Sequence, residues 1–183
     1  MRAGVLRMMG RVIRRVILLL LVAVLVGCGV GSQGSEQRAP APAGAAQAGA
    51  IERVVDGDTV IAQLGSGATE RVRLIGIDTP ESVKPGTPVQ CFALKASAYT
   101  KHLLTGRRVR LVLDAEPRDR YGRLLAYVYR EPDGAFVNAQ LVRDGYARTL
   151  TIAPNVAHAR QFAQLARTAR RGGRGLWGAC GMG

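Results

Sequence analysis

The pattern of apolar and polar positions changes character along the chain. An unbroken apolar run from Val16 to Val26 gives way, from Gly29 to about Gly49, to Gly, Ala, Ser, Gln and Pro with almost no large apolar side chains. From Ile51 short runs alternate, Arg53 to Val55, Asp58 to Leu64 and Glu70 to Ile77, divided by Asp56-Gly57 and Gly65-Ser66-Gly67. Period-two alternation broken by turn residues predicts three strands of an antiparallel meander. Phe92, Ala96, Tyr99 and Leu103 then recur at helical spacing with Gly106 behind them, which predicts a helix over residues 92–104. Two further strands follow, Arg108 to Leu113 and Gly122 to Tyr129. Val137, Leu141 and Val142 before Gly145 predict a short second helix. Pro154-Asn155 opens a third that carries Phe162, Leu165, Ala166 and Ala169 on one face and stops at Gly172-Gly173.

Three strands, a helix, two strands and two helices define an α+β class that is mainly β. The economical arrangement is a five-stranded barrel of the OB-fold type with three helices packed on it, because closure leaves no open strand edge. That domain is expected over residues 51–183, behind a tether at 28–50 too poor in apolar surface to fold.

Residues 1–27 read as an address. Arg2, Arg7, Arg11, Arg14 and Arg15 precede an apolar run too short for a comfortable membrane span, and small residues surround Cys28. Leu25-Val26-Gly27-Cys28 resembles the lipobox of bacterial lipoproteins, which implies a lipidated Cys28, a membrane partner reached through that lipid, and a place in the bacterial cell envelope. Arg14-Arg15 also allows twin-arginine export. Export permits disulfides. With Cys28 taken by lipid, Cys91 and Cys180 are left as an even pair and are expected to be bonded; two free thiols are the alternative.

Charge adds a partner class without deciding it. The chain carries 26 basic and 13 acidic residues, and five of the basic ones lie in the leader. The rest keeps a charge of about +8, a surface that attracts phosphate polymers. Among the acids, Asp58 follows the Asp56-Gly57 turn, Asp78 ends the third strand and Glu81 lies three residues beyond it. Short loops between antiparallel strands could gather them into hard oxygen ligands for calcium or a similar cation. Taken singly, each acid reads as an ordinary turn residue. His102 and His158 fall inside predicted helices, and no Cys/His set has zinc spacing.

Together the motifs are specific. Val55-Asp56-Gly57-Asp58-Thr59-Val60, Arg73-Leu74-Ile75-Gly76-Ile77-Asp78-Thr79-Pro80-Glu81 and Asp119-Arg120-Tyr121-Gly122-Arg123-Leu124-Leu125-Ala126-Tyr127 resemble, in order and spacing, the three motifs of the thermonuclease, or staphylococcal nuclease-like, family. The resemblance continues through Val137-Asn138 and Leu141 to Gly145, and on to Gly175-Leu176-Trp177. It implies calcium as cofactor, with Asp58, Asp78 and the Thr79 carbonyl as ligands and Asp56 behind them holding metal-bound water. It implies Glu81 as general base, Arg73 and Arg123 as the guanidinium pair on the scissile phosphate, and Arg120 and Tyr121 beside the nucleotide. The reaction it implies is hydrolysis of DNA and RNA to 3′-phosphate ends.

One departure stands out: Leu150 and Ile152 occupy positions where the best-known member has tyrosines that contact the nucleotide. Trp177 is expected to be a packing anchor. Two other readings compete with the enzyme. One is a catalytically silent nucleic-acid-binding module on the same fold, and the other a lipoprotein that binds an anionic envelope polymer. Neither explains three acids beside two arginines. No apolar strip is left over after the core is assigned, so a monomer is expected.

Overall fold

The structure is a computed structural model that describes residues 44–83 and 85–181. The leader, Cys28 and most of the tether lie outside the described residues. In chain order the elements are β1 (Ala46–Asp56), β2 (Thr59–Leu64), β3 (Thr69–Leu74), β4 (Gly76–Asp78), α1 (Ala93–Leu104), β5 (Arg108–Val112), β6 (Leu124–Arg130), α2 (Val137–Arg143), β7 (Arg148–Leu150), α3 (Ala159–Arg171) and α4 (Leu176–Ala179). Five strands close into a barrel in the order β1-β2-β3-β6-β5, while β4 and β7 form a separate antiparallel pair.

The barrel is filled by the alternation read from the sequence. Val60, Ala62 and Leu64 of β2, Val72 and Leu74 of β3, Val109 and Leu111 of β5 and the apolar run of β6 are all buried. Their neighbours on β2 and β3, Thr59 with Arg73 and Ile61 with Arg71, pair across the strands on the outer side. One ladder is parallel, β3 with β6, at Val72 opposite Leu124. The buried Asn138 of α2 clamps this seam, its amide donating to Ile75 O at 2.9 Å and its oxygen accepting from Val128 N–H at 2.9 Å.

Several boundaries differ from the sequence expectation. β1 begins at Ala46, so residues 46–50, expected as tether, are strand; they pair with Arg108–Val112 of β5. The run from Glu70 to Ile77 is two strands, because Gly76 adopts φ +78° and the Phe162 ring occupies the space a Cβ would need. Past that break β4 pairs with β7, which places Asp78 opposite Arg148. The third helix starts at Ala159 rather than at Pro154-Asn155. Asn155 instead exchanges side-chain hydrogen bonds with the Glu116 backbone at 2.8 and 2.9 Å, tying two loops together. A fourth, one-turn helix, α4, leads into Cys180, which is bonded to Cys91 with a Cα separation of 5.8 Å. The bond ties the approach to α1 to the C-terminal end.

Candidate active site

The tight turn Asp56-Gly57-Asp58 between β1 and β2 lies against the end of β4. Its glycine is required by close approach: a Cβ at Gly57 would stand 2.6 Å from Thr79 Oγ1. The Gly57 carbonyl accepts the buried Thr100 hydroxyl of α1 at 2.7 Å, so the helix braces the turn from behind. Asp58 Oδ2 accepts from the Thr79 N–H at 2.9 Å and its hydroxyl at 3.1 Å, which joins two motifs 21 residues apart.

Arg73 projects from the outer face of β3 onto this junction. Its Nη1 is 3.0 Å from Asp58 Oδ2 and its Nη2 3.0 Å from Asp78 Oδ1, so two carboxylates share one guanidinium. A third bond, Arg73 Nη1 to Leu74 O at 2.9 Å, fixes the fork. Half of the Asp78 side chain is open to solvent, yet it sits low enough in the cleft for partial burial, and then the Asp58 charge, to raise its pKa. Arg73 and Arg148 oppose that rise without cancelling it.

Asp56 is buried and holds the segment that follows. It accepts from the Gly57 N–H at 2.8 Å and from the Ser82 hydroxyl at 2.5 Å. Burial raises the Asp56 pKa; the Ser82 hydrogen bond opposes that, and a hydrogen bond with the Glu81 carboxyl adds to it. Glu81 lines the same cleft as Asp56. Its backbone is pinned to Gln90 in both directions, Glu81 N–H to Gln90 Oε1 at 2.9 Å and Gln90 N–H to Glu81 O at 3.0 Å. The Pro- and Gly-containing connection between Glu81 and Gln90 is closed at its base by that pair, one residue before the disulfide.

Arg123 arrives from the opposite wall. The carboxylate of Asp119 accepts its Nε at 2.6 Å and its backbone N–H at 3.0 Å. Burial would raise the Asp119 pKa, but the Arg123 side chain and the N–H groups of Arg123 and Tyr121 outweigh it and hold the acid below its ordinary value. Asp56, Asp58, Arg73, Asp78, Glu81 and Arg123 line one cleft of about 500 Å³. A second cleft of about 410 Å³ shares Arg73 and Arg123 and adds Arg120, Tyr121, Leu150 and Ile152. Tyr121 is exposed, and Arg120 both lies over its ring and donates to its hydroxyl at 2.6 Å.

Comparison with known proteins decides the family. The model for "Staphylococcal nuclease homologue" matches residues 71–179. The thermonuclease of Staphylococcus intermedius is 45% identical over 127 residues, 69% of this chain and 74% of the relative. That of Staphylococcus hyicus is 40% identical over 127 residues, 69% and 73% of the two chains. Endonuclease YncB of Bacillus subtilis is 40% identical over 114 residues, covering 61% of this chain and 53% of its own.

The chain belongs to the staphylococcal nuclease family. In this member one cleft gathers Asp56, Asp58, Asp78 and Glu81 with Arg73 and Arg123. Among the described residues no three acid, histidine or cysteine side chains form a metal-holding group by themselves. The hard-oxygen set is the Asp58 and Asp78 carboxylates, which already converge on a single cation, the Arg73 guanidinium, with Thr79 directly after Asp78 in the chain. Oxygen donors of this kind suit calcium.

The positioning residues Asp119, Ser82, Gln90 and Thr100 were not singled out from the sequence. Only Asp119 had a visible signal, its place four residues before Arg123 in the third motif. Neither histidine lines the two clefts. His158 precedes α3 and packs edge-on against Tyr127 at 4.5 Å between ring centroids, and His102 is exposed on α1. The guanidinium groups of Arg148 and Arg170 each lie over the Trp177 ring, 5.7 Å from its centroid.

Proposed function

We propose that this nuclease-family chain is a calcium-dependent endonuclease that hydrolyses phosphodiester bonds of DNA and RNA and leaves 3′-phosphate ends. The observation that carries the reading is the junction of Asp58, Asp78 and Arg73 in one cleft with Glu81 and Arg123. Asp58, Asp78 and the Thr79 carbonyl would hold calcium, which supplies positive charge where a phosphoryl oxygen becomes more negative.

The protein's own groups carry the remaining work. Arg123 enters the cleft already oriented by Asp119, and Arg73 points into the same cleft, so two planar forks meet the phosphate once Arg73 exchanges its two carboxylate partners for it. Glu81, beside Asp56, takes a proton from the attacking water. The new bond joins that oxygen to phosphorus, the bond to the 5′-oxygen breaks, and the departing oxygen gains a proton from solvent. The products are a 3′-phosphate and a 5′-hydroxyl. The nucleoside next to the phosphate occupies the second cleft, against Tyr121, Leu150 and Ile152, where apolar contact replaces tyrosine stacking. The protein acts as a monomer in the bacterial envelope, held to the membrane through lipid on Cys28.

The test is cleavage of single-stranded DNA and RNA with calcium and with chelator, beside Glu81→Gln and Arg123→Ala. Calcium-dependent cutting that falls about 100-fold or more in both variants supports the reading. Tight binding without cutting, equal in all three proteins, sinks the enzyme and leaves a binding module.

A further inference from the structure

We propose that Arg71 binds the phosphate adjacent to the scissile one, so that the cleft is a two-phosphate site that favours a polymer over a dinucleotide. The proposal rests on the nuclease reading and adds a residue that determines substrate length.

Arg71 and Arg73 leave the same outer face of β3, with Val72 between them fully buried in the barrel. Two residues of strand separate their Cα atoms by about 7 Å, comparable with the spacing of consecutive phosphates along an extended single strand. The parallel register that sets Val72 opposite Leu124 brings Arg71 alongside Arg123, and all three arginines line the same cleft.

Their commitments differ. Arg73 is taken by two carboxylates and a carbonyl, and Arg123 Nε by Asp119. The Arg71 side chain is exposed and makes no hydrogen bond or ion pair among the described residues. The acid beside it in sequence, Glu70, does not neutralise it, because both Glu70 oxygens are held by Arg118 at 2.6 and 2.9 Å. A guanidinium left without a carboxylate, in a cleft where its two neighbours face the reacting phosphate, keeps its donor fork for another phosphate. Arg53, two strands along in the same outward row through Ile61, is also exposed and unpartnered among the described residues, but lies outside the cleft. It is the control for charge alone.

The experiment compares the full chain with Arg71→Ala, Arg71→Lys and Arg53→Ala on decathymidylate and on the thymidine dinucleotide, which has one phosphate. Arg71→Ala is expected to raise KM for the decamer about tenfold with kcat within about twofold, and to leave the dinucleotide unchanged. Arg71→Lys should fall between. In chelator, where nothing is cut, the affinity of Arg71→Ala for the decamer should drop, and its salt slope should fall by about 0.7, the value of one single-strand phosphate contact. Equal losses on both substrates, or an Arg53→Ala effect as large as that of Arg71→Ala, would overturn the proposal. If the unaltered protein cuts neither substrate, the nuclease reading fails, and the chelator measurement still decides this one: an unchanged slope rejects it.

Discussion

Arg123 Nε donates to Asp119 Oδ2 at 2.6 Å, and the other carboxylate oxygen accepts the Arg123 and Tyr121 backbone N–H groups. One acid therefore sets both the turn and the direction of the guanidinium. Asp119→Ala should lower kcat on single-stranded DNA by about 10- to 100-fold, since a displacement of about 1 Å costs that much in a preoriented site. Asp119→Asn, which keeps the acceptor for the N–H groups but loses the charge, should lose less. Steady-state kinetics of the two variants beside a thermal melt separates misdirection of Arg123 from unfolding.

Asp78 costs stability where it serves the site. Its folded-state pKa is raised above the ordinary 3.8, first by burial and then by Asp58. Between those two values the folded state binds more protons than the unfolded one, so stability falls as pH rises through that window and the cost is complete above it. Asp78→Asn should raise the melting temperature by a few degrees at pH 7 in chelator, and by less near pH 3.5, while cutting falls about 100-fold or more. A lower melting temperature at pH 7 would contradict this.

The Cys91–Cys180 bond spans 89 residues and sits next to Gln90, which pins Glu81. Replacing both cysteines by serine should reduce stability by about 2–4 kcal/mol, read from urea unfolding. Activity at low temperature should fall less, because the Glu81–Gln90 hydrogen bonds do not depend on the bond itself.

Residues 46–50 close the barrel against β5. A chain begun at Ile51 should lose several kcal/mol relative to one begun at Gly44, at about 1 kcal/mol for each ladder hydrogen bond removed. Matching urea midpoints for the two chains would show that this stretch adds nothing.

Local pattern carried much of this protein. Alternation placed Val60, Ala62, Val72 and Leu74 inside, because a strand's side chains point in turn to core and solvent whatever the strand pairs with. Helical spacing and glycine stops bounded α1 and the end of α3, and cysteine parity anticipated the disulfide. The motif residues named the cleft. Tertiary structure decided the rest, for reasons a local pattern does not hold. Ala46 to Ala50 have little apolar surface of their own and become strand because β5 offers them a ladder. Gly76 looks like one more strand residue until Phe162 of a distant helix packs on it, and only then does β4 turn away to meet β7. Charge pairing is likewise a matter of encounter: the motifs single out Arg73 and Arg123, but nothing in the sequence says which acids arginines 71, 73 and 123 will meet. Folding gives Arg73 two carboxylates and Arg123 one, and it leaves Arg71 without an acid because Arg118 already holds Glu70.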